Sequence, residues 1–153
     1  MDIRVDDLSS DAARDLLRLH LQGMHANSPP GHVFALDLSG LQVPEVTVWS
    51  AWEGDEICGI GALKQLDAGS GEVKSMRTHP RYLRRGVGAA LLDRIIEEAR
   101  TRKLRRLSLE TGRGPAFEPA LALYRRRGFV DGGAFSDYVQ SEFNQFLHMS
   151  LTD

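Results

Sequence analysis

Between Glu45 and Thr78 the chain reads as three strand-like stretches joined by connections too short for a crossover. Glu45 to Trp52 is rich in β-branched and aromatic residues, Glu56 to Leu66 is largely apolar, and Gly54-Asp55 between them has hairpin-turn chemistry. The turn AGSG at 68–71 leads into a third stretch, Glu72 to Thr78, which Pro80 ends. Parallel neighbours need a dozen or more connecting residues, so these three stretches predict an antiparallel meander. The rest of the chain must pack around it. Ile3 to Val5 reads as a short first strand. A helix is expected from about Ser10 to Asn27, ended by NSPPGH, and ALDLSGL reads as a short helical piece. Beyond the meander, apolar residues at 87, 91, 92, 95, 96 and 99 recur at helical spacing. Arg105 to Thr111 then alternates like a strand. Glu118 to Arg127 reads as a helix closed by Gly128, and Gln145 to Leu151 as the last strand. The order β-α-α-β-β-β-α-β-α-β predicts an α/β fold, a mixed and mostly antiparallel central sheet with helices on both faces.

The 153 residues, 42% apolar and 26% charged, suit a single domain spanning 1–153 with one ordinary core. MDIRVDDLSS has neither a basic nor an apolar leader region, and no uncharged apolar run reaches 18 residues. The expectation is a cytoplasmic protein with no membrane partner. The lone Cys58, inside EICGIGAL, excludes an intrachain disulfide and reads as a buried, inert thiol. No His, Cys or carboxylate cluster has metal-ligand spacing, so no metal is expected. The net charge of −2 conceals a split: residues 74–127 hold 15 of the 19 Lys and Arg but only 5 of the 21 Asp and Glu. Such a basic segment suits a polyanion. Nucleic acid is the weaker candidate, because the basic residues lack interleaved aromatics or a reading motif.

The helix beginning at Val87 starts against the usual rules. Arg84 and Arg85 stand beside its positive end, each at a cost of about 0.3 to 1 kcal/mol. Gly86 and Gly88 add about 1 kcal/mol each if helical. A local rule broken without compensation points to a functional site. The missing compensation would be an anion: glycines let a ligand approach, free N–H groups point at it, and arginines neutralise it. A P-loop is excluded, since no Gly-Lys-Ser/Thr run exists. A dinucleotide fingerprint is excluded because Leu91 stands where Gly or Ala is required.

A long strand, then Pro, basic residues, Gly-Val-Gly and a helix resembles the acetyl-CoA-binding core of the GNAT (Gcn5-related) N-acetyltransferase superfamily. Downstream, SLETG and PALALYRRRGF resemble that superfamily's later motif. More narrowly, MHANSPP, ALDL, LKQLD, KSMRTHP and LSLETG resemble small bacterial GNAT proteins of the YsnE type. Two positions depart from the pattern. Leu83 stands where the superfamily has Gln or Arg, and Phe117 where many members have an Asn touching the pantetheine arm.

The resemblance implies transfer of acetyl from acetyl-CoA to a primary amine of a small molecule or peptide, by direct attack. It implies that Gly86, Val87, Gly88 and Ala89, with Arg84 and Arg85, wrap the pyrophosphate. Met76, Arg77 and Thr78 would offer main-chain groups to the pantetheine amides, with the N–H near Met76 facing the thioester oxygen. Phe117 would make an apolar contact. Tyr124 matches the acid that protonates the leaving thiolate. For the general base two residues match, Glu110 in the fifth-strand position and Glu72 in the fourth-strand position, with water as an alternative relay; either Glu could instead be a salt-bridge partner. His25 and His32 lie in the region where relatives build the acceptor pocket, and Asp137 and Tyr138 could edge it. Arg125 to Arg127 could meet the cofactor's 3′-phosphate. Homodimers are common among relatives. Two other readings stand beside this one: a non-catalytic CoA-binding or sensing module, and a nucleic-acid-binding protein using the basic face.

Overall fold

The expected meander forms one half of a seven-stranded sheet in the computed structural model, which describes residues 1–152. Only Asp153, the last residue of the expected domain, lies outside the described residues. The strands are β1 (Asp2–Val5), β2 (Val46–Glu53), β3 (Glu56–Gln65), β4 (Ser70–Thr78), β5 (Arg106–Gly112), β6 (Val130–Gly132) and β7 (Asn144–Ser150), in spatial order β1-β2-β3-β4-β5-β7-β6. All neighbours are antiparallel except β4 and β5. Helices α1 (Asp11–Asn27), α2 (Leu38–Leu41), α3 (Val87–Thr101) and α4 (Glu118–Arg126) fill the connections.

The two faces have separate cores. Leu16 and Leu17 of α1 and Leu41 of α2 cluster with Val46, Val48, Ile60 and Ala62. Leu91, Leu92 and Ile95 of α3 and Leu121 of α4 cluster with Trp49, Leu63, Val73, Leu107 and Leu109. This is the period-2 alternation of β2 and β3 feeding two layers. α1 begins conventionally, with Ser10 Oγ accepting the Ala13 N–H at 3.2 Å. α3 sits close on β3 because two glycines clear its path. A Cβ on Gly59 would lie 2.8 Å from Val87 Cγ1 and 3.0 Å from the Arg77 carbonyl oxygen. A Cβ on Gly61 would lie 2.6 Å from Met76 Sδ and 3.2 Å from Ile95 Cδ1.

Two features differ from or add to the expected order. β6 follows α4 and pairs with β7 from Val130–His148 to Gly132–Phe146. It is three residues long and exposed throughout, so it carries no alternation of its own and exists through its partner. The second feature is a bulge in β4. Its pairing with β3 passes from Ile60–Arg77 to Ala62–Lys74, leaving Gly61 opposite both Ser75 and Met76. Ser75 takes a left-handed φ of 57°, and its buried Oγ has no hydrogen-bond partner. β4 and β5 pair only from Ser70–Arg106 to Glu72–Ser108. Beyond those residues the ladder ends and a cleft opens through the sheet.

Candidate active site

A cavity of about 580 Å³ occupies the gap between the two parallel strands. Val73 to Thr78 line one wall and Glu110 and Thr111 the other. On the α3/α4 face it is bounded by the turn before α3, by the first residues of α3, and by Leu123, Tyr124 and Arg126. On the α1 face it is bounded by His20, Met24, Asn27 and Phe34. The cavity therefore joins the two faces through the split.

The irregular helix start lies at this opening. Gly86, the N-cap of α3, has φ 80° and no side chain caps the helix. Arg84 is also left-handed, with φ 63°. Both positions bend the chain so that the first turn of α3 fronts the cavity, where N–H groups have no intrahelical acceptor. Arg84, Gly86, Val87, Gly88 and Ala89 all line it, as do Met76, Arg77, Thr78 and Phe117. Arg85 does not: its guanidinium stacks over the Tyr82 ring, 5.3 Å from the centroid. Of the three arginines at the end of α4, Arg125 pairs with Asp131 at 3.3 Å and Arg127 with Asp93 at 2.6 Å. Arg126 is the one that lines the cavity.

Two titratable groups line the cavity from opposite faces of the sheet. Tyr124 lies on α4, buried edge-on against Phe129, and burial pushes its phenol up to about 12. Glu110 lies on β5, on the face opposite Leu107 and Leu109, and lines the cavity. Burial pushes its carboxyl up to about 7; Lys74 pulls it down and Glu72 adds to the rise. Such a group exchanges a proton near neutral pH.

Glu72 has a different setting. It is 2% exposed, and its Oε2 accepts from Lys74 Nζ at 3.2 Å and from the Tyr138 hydroxyl. The sequence left Glu72 open between base and salt-bridge partner, and the second is its observed contact. Tyr138 thus reaches the edge of the site, whereas Asp137 is exposed. Beside them Arg77 donates from Nε to His20 Nδ1 at 3.0 Å, and from Nη2 to the His20 carbonyl at 3.4 Å. Burial, then Arg77 and Lys74, hold the His20 imidazole down at about 4, so it is neutral and free to accept. Neither His25 nor His32 lines the cavity. His25 is exposed on the last turn of α1, and His32 packs edge-on against Phe143 with a centroid separation of 5.8 Å.

The profile of the acetyltransferase (GNAT) family matches residues 11–129. The chain belongs to the GNAT family. It is 48% identical to the uncharacterized N-acetyltransferase YsnE of Bacillus subtilis, over 99% of this chain and 100% of that one. It is 46% identical to the uncharacterized N-acetyltransferase YedL of Escherichia coli, over 99% and 95%. Among solved structures, a GNAT family acetyltransferase from Elizabethkingia anophelis with acetyl-CoA bound superposes with a TM-score of 0.72 at 19% identity, covering 98% of this chain and 97% of that one. At that identity the likeness is one of fold.

Within this GNAT domain the residues that sequence reasoning missed are Lys74, His20 and the side chain of Arg77. One signal was present. Glu72 and Lys74 are two apart on a strand and so share a face, close enough to pair. Strict alternation would put Arg77 on the other face, and only the bulge brings it back. His20 carried no signal beyond a polar residue on the inward side of an amphipathic helix.

Proposed function

We propose that the protein is an acetyl-CoA-dependent N-acetyltransferase acting on a primary amine. The observation that carries this reading is the cavity through the β4–β5 split, with an uncapped, glycine-bent helix start at one mouth and Glu110 at the other. The donor set fits the nucleotide. The N–H groups of Val87, Gly88 and Ala89 would take the pyrophosphate oxygens, with Arg84 and Arg126 at the same mouth as counter-charges. Each such charge-assisted bond contributes about 1.5 to 3 kcal/mol, so several together exceed the cost of the irregular start. Phe117 supplies an apolar wall where relatives have a polar one. Acetyl-CoA, when bound, supplies the activated acyl carbon.

The chain's own groups then divide the proton work. Glu110 faces the α1 side, where an amine would enter, and accepts the proton that the ammonium must lose before nitrogen can bond to the acyl carbon. The Met76 main-chain N–H, in the bulge, is the donor for the carbonyl oxygen as charge collects on it. Tyr124, held in the phenol form by burial, donates to the sulfur as the carbon–sulfur bond breaks. The nitrogen loses two protons, one to Glu110 before attack and one from the tetrahedral adduct, and the second replaces the proton that Tyr124 gives to the sulfur, so that one proton is released in net with no covalent enzyme intermediate. Glu72, bonded by Lys74 and Tyr138, holds that wall in place. Thiol release from acetyl-CoA, followed against a panel of primary amines, tests the proposal. Amine-dependent release supports it. Tight CoA binding without release across the panel would replace it with a non-catalytic binding module.

A further inference from the structure

The acceptor end of the cavity holds two cations, and their charge accounting differs. Lys74 has spent its three donors: on Glu72 Oε2 at 3.2 Å, on the Tyr138 hydroxyl at 2.8 Å and on the Phe34 carbonyl at 3.3 Å. Its charge is met by Glu72. Arg77 has no such partner. Both of its acceptors, His20 Nδ1 and the His20 carbonyl, are neutral, and among the described residues no carboxylate lies within 4.0 Å of it. Three of the five guanidinium N–H donors make no hydrogen bond, two on Nη1 and one on Nη2, and α1 passes close on the Nη2 side, where a Cβ on Gly23 would fall 2.9 Å from Nη2 and 3.5 Å from Nη1. The side chain is partly buried, and burial pulls its ionisation below the ordinary range, so the charge is held there at a cost. The β4 bulge is what turns Arg77 onto the Lys74 face, because Ile60 and Ala62, the partners of Arg77 and Lys74, lie on one side of β3.

We propose that the amine acceptor is an amino-acid-like zwitterion and that Arg77 receives its carboxylate. The inference rests on the acetyltransferase reading and names the acceptor class within it. Nη1, with both of its N–H donors unengaged, offers a carboxylate a charge-assisted hydrogen bond, and His20 fixes the guanidinium plane from behind. Arg77, Glu110 and Tyr124 line the same cavity, so the carboxylate site shares it with the reacting atoms. That arrangement suits an acceptor whose carboxylate and amine are separated by one or a few carbons. Met24, Phe34 and Ala35 add an apolar wall for its side chain. A polycationic acceptor would instead face an unneutralised guanidinium, with Glu72 already engaged.

Matched pairs test this directly: L-α-amino acids with apolar side chains, each beside the amine left when its carboxylate is removed. Thiol release from acetyl-CoA is measured for the wild type and for Arg77→Gln, with the KM for acetyl-CoA followed alongside. The wild type is expected to favour the carboxylate-bearing member by about 10- to 100-fold in kcat/KM, mainly through KM. Arg77→Gln should bring that ratio to within about threefold, and Arg77→Lys should recover part of it. Equal or better turnover of the carboxylate-free members overturns the inference while leaving the transferase reading intact. A preference that survives in Arg77→Gln overturns the role of Arg77. No release with any pair overturns the zwitterion class; if coenzyme A also gives no heat by calorimetry, the transferase reading falls with it. Should Arg77→Gln fail to fold, inhibition of the wild type decides. Apolar carboxylic acids should compete with the amine at least tenfold better than their primary amides, and equal inhibition sinks the proposal.

Discussion

Burial in the cleft holds the Glu110 carboxyl near 7, and the same displacement acts on catalysis and on stability with opposite signs. Catalysis by the carboxylate should rise with pH through about 7, and Glu110→Gln should lower kcat/KM by about 10²-fold or more while removing that limb from the pH profile. A profile that keeps its limb in Glu110→Gln would move the base role to a water relay. For stability, a raised carboxyl means that the folded protein keeps a proton the unfolded chain has already released. The contribution is therefore full below the ordinary value of 4.5 and lost as pH rises through about 7. Glu110→Gln is expected to be more stable than the wild type at pH 8 to 9, by about 1 to 3 kcal/mol, with the gain gone near pH 4.5. Denaturant unfolding at the two pH values measures it. Tyr124 offers the complementary case. Tyr124→Phe keeps the edge contact with Phe129 and removes one hydroxyl, so kcat should fall about 10²-fold with the acceptor KM little changed. Undiminished turnover would take the acid role away from it.

The elements that position these residues carry their boundaries in residues whose effect is local. Ser10 caps α1, the glycine turns close the hairpins, Pro80 ends β4, and Gly128, with φ 102°, follows α4. Those boundaries were legible because each depends on a few neighbouring backbone groups. The bulge at Ser75 was not, since it is a relation between β4 and β3, and nothing about Ser75 alone demands a left-handed φ. β6 was hidden for the same reason: its three exposed residues are a strand because β7 runs beside them. The glycines of β3 fall between these cases. A strand containing two of them signals a close approach, without saying what approaches. In the structure it is α3, whose first turn must front the cavity. Gly59→Ala brings a methyl within 3.0 Å of a backbone oxygen that cannot rotate away. The expected result is a loss of about 1 to 3 kcal/mol in denaturant unfolding, with a raised KM for acetyl-CoA as Val87 is pushed off the sheet. If stability falls and the KM stays put, the seat of α3 does not set the geometry of its first turn.

Across the whole molecule the sheet is held together unevenly. β5 meets β7 over seven residue pairs but meets β4 over only three, so β1–β4 and β5–β7–β6 are two halves with a short seam. The cavity lies in the unpaired continuation of that seam, and a ligand filling it would touch both walls. A group that binds only the folded form at a hundred times its Kd adds about 2.7 kcal/mol. For a chain of this size that corresponds to a rise of about 5 to 10 °C in Tm. Coenzyme A should produce this shift, and Arg84→Ala should reduce it through loss of a charge at the pyrophosphate mouth. The distribution of the gain matters more than its size. If the ligand bridges the halves, amide exchange should slow on the β4 wall at residues 76–78 and on the β5 wall at 110–112 together, with α3's first turn protected as well. If protection is confined to the turn before α3, the nucleotide end binds while the seam remains open. The pantetheine arm would then not lie between the strands, and the main-chain donors of the bulge would have no place in the chemistry.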